Sequence, residues 1–173
     1  MKKSKTLDLV IFAELGALIF VSKQVMEFLP NFHAITMLIA VFTLEYRARA
    51  LIPIYIFVFL QGVYSGFQLW WIPYTYIWAI AWALFMLIPA NAPTRTKAIL
   101  SSVFAALHGL AYGTLYAPFQ VIAFMNWDFG KMIAWIVVGL PWDAVHMVGN
   151  IVMSLLVIPL YEILHKFELK RTN

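Results

Sequence analysis

The chain has 173 residues, 64% of them hydrophobic and 12% charged, with a net charge of +4 and no cysteine. Soluble domains carry about twice that charged fraction, so the composition excludes a soluble globular protein and points to a single membrane-embedded domain, residues 1–173. Without cysteine there is neither a disulfide nor a thiolate metal site.

The apolar runs are continuous rather than alternating, which predicts helices and not a barrel, each needing about 20 residues to cross the hydrocarbon core. The N-terminal stretch "MKKSKTLDLVIFAELGALIFVSKQV" opens like a signal peptide. Its apolar run is long, however, and has no small-residue cleavage site in the usual place. It reads as a retained first span, about 7–28. A short second span, 34–46, stops at "YRAR", and a third, 48–66, runs into "FQLWW". The fourth covers 72–88 and ends in "PANAPTRTK", the one loop dense in Pro, Asn and Thr. A fifth, 98–117, has Pro118 close behind it, and the last is 141–164. Residues 119–140 mix apolar and polar types and read as a re-entrant or surface-lying connection, or as an extension of the fifth helix. The expected fold is an all-α integral membrane protein of six transmembrane helices with both termini cytoplasmic. Charge agrees with that topology: Lys2, Lys3, Lys5, Arg47, Arg49, Arg95, Lys97, Lys166, Lys170 and Arg171 fall inside, and only Lys23 and Lys131 fall outside. The positive charge is thus a topology signal, with nothing in it that calls for nucleic acid.

In this topology the polar and aromatic residues collect toward the outer side. They include Lys23, Gln24, Glu27, Asn31 and His33, then Gln61, Gln68, Trp71, Tyr74 and Trp78, then Tyr112, Tyr116, Trp127 and Trp135. The last span opens with "GLPWDAVHMVGN", where Asp143, His146 and Asn150 are spaced to share one helix face. Two accounts of that face stand side by side. Pro141 suits a first helical turn and Asp143 just inside it suits the helix dipole, which makes Asp143 a capping acid and His146 and Asn150 interhelical glue. Alternatively, the face lines a ligand cavity, since ionisable groups inside a bilayer usually face a cavity or a partner. Each Trp taken singly fits an interfacial belt; the convergence of six segments on one side favours the cavity.

No chemistry for catalysis is legible. His108 and His146 lie on different helices, no H-E-x-x-H spacing occurs, no Ser sits in a nucleophile elbow, and there is no nucleotide-binding loop. A channel needs a polar stripe through the whole membrane, and the inner halves are mostly aliphatic. A stand-alone secondary transporter usually shows two repeats, and none is evident. The residues therefore point to a small helical receptor that captures a solute from outside, with a structural or assembly membrane protein and a stand-alone small-solute transporter as the alternatives.

On the first helix "AELGA" places Ala13 and Ala17 four apart with Gly16 between, a spacing that lets another helix approach closely. Together with "FLPNFHAITMLIAVFTLEYRARALIPIYIFVFLQGVYSGFQLWWIPYTYIW" and "GLPWDAVHMVGN", this resembles the substrate-binding S component of energy-coupling factor (ECF) vitamin transporters, over essentially the whole chain. Glu14, inside the alanine motif, departs from the pattern. The resemblance implies a multi-pass protein of the bacterial cell membrane that binds a vitamin or related micronutrient. It would dock on a transmembrane coupling subunit, with Ala13, Ala17 and Gly16 at that contact, and topple to carry its site inward. Two partner ATPase subunits would hydrolyse the ATP, so this chain is expected to be no enzyme and to hold no cofactor or metal. Carried onto this sequence, the binding region comprises Asp143, His146, Asn150, Trp142, Trp71, Tyr74, Trp78, Tyr112, Tyr116, His33 and Gln68. Such an aromatic set suits a small heterocycle, such as a B6- or thiamine-type compound, with a corrinoid such as cobalamin as the wider alternative.

Overall fold

The computed structural model describes residues 5–29 and 32–172; Lys2, Lys3 and Asn31 of the charge and polar patterns lie outside the described residues. The described chain is all-helical: α1 (Lys5–Val25), α2 (Ile35–Tyr46), α3 (Leu51–Ser65), α4 (Tyr74–Met86), α5 (Thr94–Phe124), α6 (Phe129–Ser154) and α7 (Val157–Thr172), with short 3₁₀ turns at Arg47–Ala50 and Leu69–Trp71. Among the described residues, four helical stretches are long and apolar enough to cross a membrane: Ile35–Ser65, Leu69–Met86, Thr94–Phe124 and Phe129–Ser154. The first of these joins α2 to α3 through Arg47, whose φ of 54° breaks the helix. α1, which carries Asp8, Glu14 and Lys23, is not among the four.

Side-chain pairs fix the helix directions. Asp8 meets Arg49, Phe20 meets Tyr64, and Gln24 Nε2 donates to Gln61 Oε1 at 3.1 Å, so α1 and α3 run parallel. Gly16 lets them close: a Cβ there would lie 2.5 Å from Ile56 Cγ2 and 2.9 Å from the Pro53 carbonyl oxygen. α4 returns beside α3, with Tyr55 Oη donating to the Thr75 carbonyl at one end and Arg47 donating to the Ile88 and Met86 carbonyls at the other. Tyr76 and Tyr116 hydroxyls donate to the Leu115 and Trp70 carbonyls, which ties α4 and the turn before it to α5. α5 and α6 form the most extensive helix pair. α7 then comes back to the start of the chain, where Arg171 reaches Asp8 at 2.6 Å.

α2 sits at the centre of the bundle. Every residue from Ile35 to Leu44 is buried, and the run packs with Ile54 and Phe57 of α3, Ile77, Trp78 and Phe85 of α4, and Val157 of α7. Its 12 residues span only about 18 Å at 1.5 Å per residue. A helix that short is accommodated by burial among longer neighbours.

Residues 119–140 form no separate connection, and as far as Phe124 they extend the fifth helix, one of the alternatives the sequence offers. α5 continues through Pro118 to Phe124, and α6 starts at Phe129 and passes through Pro141. Proline is tolerated inside apolar helices because neighbouring groups satisfy the freed carbonyls. The expected last span is also broken, at Leu155–Leu156, where α6 gives way to α7. The true start of α6 is capped by Asp128, whose Oδ1 accepts from the Lys131 N–H at 2.9 Å. Lys131 Nζ in turn donates to the Met125 carbonyl at the end of α5. The helices α1 to α4 begin and end within a few residues of the predicted limits.

Candidate functional site

Asp143 follows the first residue of α6 by 14 positions, about 21 Å along the helix. It therefore does not cap α6. If α6 crosses the bilayer from its Asp128–Lys131 end, Asp143 lies near mid-depth rather than at the outer edge that the sequence suggests. The expectation fails because Pro141 reads as a helix start and proves to be internal.

Asp143 is buried, and its Oδ1 accepts from the Gly113 N–H of α5 at 2.9 Å. Gly113 permits this approach, since a Cβ there would fall 2.6 Å from Asp143 Oδ2. One turn away, a Cβ at Gly109 would lie 2.9 Å from the His146 carbonyl oxygen. The two glycines thus form the close face on which α6 packs. Asn150 Nδ2 donates to the Ala105 carbonyl at 2.9 Å, one turn further down the same contact.

Above Gly109 and beside Gly113 the two helices separate around a cavity of about 430 Å³, lined among others by Tyr112, Tyr116, Trp135, Trp142, Asp143 and His146. Behind it is a packed aromatic cluster. His33, from the segment preceding α2, places its Nε2 3.1 Å from His146 Nε2, so one ring donates and the other accepts. The Tyr112 ring lies 4.7 Å from that of His146. Trp78 touches the rings of His33, His108, Tyr112 and Tyr74, with centroids 5.5–6.0 Å apart. Burial, with the His146 and His108 rings as neighbours, pushes the His33 pKa down to about 3, which keeps that ring neutral at neutral pH.

Among the described residues, four buried polar atoms in and around this cluster have no hydrogen-bond partner: Asp143 Oδ2, His33 Nδ1, His108 Nδ1 and Trp78 Nε1. Buried polar groups are overwhelmingly paired, and leaving one unpaired costs about 1–3 kcal/mol. Of these four only Asp143 belongs to the cavity wall; His33, His108 and Trp78 lie in the packed cluster behind it. His108 Nε2 lies 3.2 Å from the Ile77 carbonyl; a carbonyl only accepts, so Nε2 carries the proton and Nδ1 offers a lone pair.

The residues singled out in the sequence divide into groups. Asp143, His146, Trp142, Tyr112 and Tyr116 line the cavity. His33, Trp78 and Tyr74 form the cluster behind it. Asn150 is committed to the α5 backbone. Trp71 donates its Nε1 to the Val58 carbonyl and packs against Phe67, and Gln68 is exposed beside Ser65; neither is brought to the cavity. On α1, Ala13 and Glu14 are exposed, Ala17 is half-buried, and Gly16 is turned inward against α3. Gly113, Val138 and Gly139 are cavity residues that the sequence did not single out, and Trp135, placed there among the outer aromatics but not in the binding set, lines the cavity too. The G-x-x-x-G spacing of Gly109 and Gly113 in an apolar helix is the signal that points to this interface. Among the described residues no group of three or more His, Cys, Asp or Glu side chains is arranged to hold a metal ion.

Fold and site together define an all-helical protein with several helices apolar enough for a membrane and a small cavity between two of them. No family model, curated protein or solved structure matches the chain.

Proposed function

We propose that the chain is the substrate-binding subunit of an ECF-type importer of the bacterial cell membrane, crossing six times with both termini in the cytoplasm. It captures a vitamin or related micronutrient from outside, docks on a transmembrane coupling subunit and two ATPases, and topples to release the ligand inward. The observation that carries this reading is the cavity between α5 and α6 with a buried, half-paired carboxylate in its wall. Such concave, mostly apolar sites with few polar groups are typical of small-molecule binding. Support for the topology comes from the helix directions and from the Asp8–Arg171 contact, which brings the first and last described helices together at one end. The exposed Ala13 and half-buried Ala17 leave a small-residue strip on α1 suited to close helix approach by the coupling subunit.

Uptake measured in cells with and without the partner ATPases tests the proposal. Accumulation of a micronutrient should require both the chain and the ATPases, and Ala13→Leu should abolish uptake while binding persists. Uptake without ATPases would instead identify a stand-alone transporter. A chain that binds no small molecule in any screen would be a structural or assembly protein.

A further inference from the structure

The wall of the α5–α6 cavity is apolar apart from a few atoms, and its most distinctive polar feature is a carboxylate. One oxygen of Asp143 is held by the Gly113 N–H; the other, Oδ2, is buried and receives no hydrogen bond. The unpaired oxygen leaves one hydrogen bond to be made, and in its ionised form the carboxylate takes it from a donor. A second anion brought beside it in an apolar surround would be repelled with little screening. Tyr112, Tyr116, Trp135 and Trp142 supply flat faces around the same space, which favour a planar ring and are attractive to a cationic nitrogen. The volume, about 430 Å³, lies in the lower part of the range of small-molecule sites, roughly 300–1,000 Å³.

We infer that the ligand of this cavity is a planar nitrogen heterocycle of one or two rings that presents an N–H or a protonated nitrogen to Asp143 Oδ2. The inference rests on the substrate-binding reading above and narrows it. A carboxylic-acid micronutrient would bring a second acidic group to Asp143, and a corrinoid is far larger than the space of about 430 Å³, so neither is the expected ligand. His146, on the same wall, is a side chain able to give or take a further hydrogen bond at the ring edge.

Gly139 provides a way to close the cavity without disturbing the fold. It lines the space, and a Cβ built on it meets no atom within 4 Å. The purified full chain in nanodiscs is titrated calorimetrically with thiamine, pyridoxamine, nicotinic acid, pantothenate and cobalamin. Thiamine or pyridoxamine should bind, and the two acids and cobalamin should not. Asp143→Asn should weaken that binding at least about tenfold, the loss expected for a hydrogen bond to a charged group. Gly139→Leu should weaken it similarly with an unchanged melting temperature. Binding of an acid or of cobalamin, or amine binding untouched by both variants, overturns the ligand class while the receptor reading stands. Binding of none of the five also overturns it. Recovery of some other micronutrient from the purified protein then preserves the receptor reading, and recovery of none removes both.

Discussion

Asp143 of α6 accepts a hydrogen bond from the backbone N–H of Gly113 in α5, across 2.9 Å. Only a residue without a side chain lets the carboxylate come so near, and the contact fixes one oxygen while the other, Oδ2, has no partner among the described residues. Gly113→Ala should therefore act on binding more than on folding. The added Cβ meets the end of the Asp143 side chain, which can rotate away. Ligand affinity should fall at least about tenfold with a small change in melting temperature, measured by calorimetry and by thermal unfolding in detergent.

Gly109 should behave in the opposite way. Its added Cβ would press on the His146 backbone at 2.9 Å, and backbone does not rotate aside. Gly109→Ala should destabilise by about 1–3 kcal/mol as an overpacked contact. Gly139→Ala, where the new methyl meets open space, should be neutral or stabilising by up to about 1 kcal/mol through helix propensity. Equal melting shifts for the two variants would contradict the packing described.

Asn150 separates glue from site. Its amide is committed to the Ala105 carbonyl, so Asn150→Ala should cost about 1 kcal/mol of stability and leave ligand affinity within about twofold. A tenfold loss of affinity would make Asn150 a ligand contact.

The His33–His146 pair gives a pH dependence. His33 has its pKa depressed from the ordinary 6.5 to about 3 by burial beside two other histidines. The folded state thus binds fewer protons than the unfolded one. Its stability is full above about pH 6.5 and is lost as pH falls toward 3, by about 2 kcal/mol at pH 5 from this group alone. Melting temperature should drop between pH 7.5 and 5, and His33→Gln should reduce that drop.

Asp8 joins three helices at the opposite end of the bundle. Its oxygens take Arg49 and Arg171, each at 2.6 Å, and Arg171 also bridges to Glu168. Asp8→Ala should loosen α7, seen as faster proteolysis there and a loss of about 1 kcal/mol, with binding in the α5–α6 cavity unchanged. Resistance of α7 to protease at the wild-type level would show that the ion pairs hold nothing.

Helix positions up to α4 were legible in the sequence because apolar runs, "YRAR" and the Pro-rich loop punctuate them. The α5–α6 hairpin was not. Pro118 and Pro141 read as boundaries, yet both lie inside helices, where apolar surroundings and packing outweigh their local preference. That error moved Asp143 from the middle of a helix to its first turn. Tyr112, Tyr116, Trp142 and His146, which stand out as polar and aromatic residues in an apolar chain, line the cavity. Trp71 and Gln68 were drawn in by the same signal and proved to serve local contacts. Gly113 and Gly139 carry no chemistry of their own; they matter through the space they leave, which only the packing of two helices reveals.

The claim that this chain captures a small molecule is tested most directly by mass spectrometry of compounds released from protein purified out of rich medium. One nitrogen heterocycle, recovered near one equivalent from the wild type and largely lost from Asp143→Asn, is the predicted result. Recovery of no small molecule, under conditions where the folded chain is intact, would contradict it.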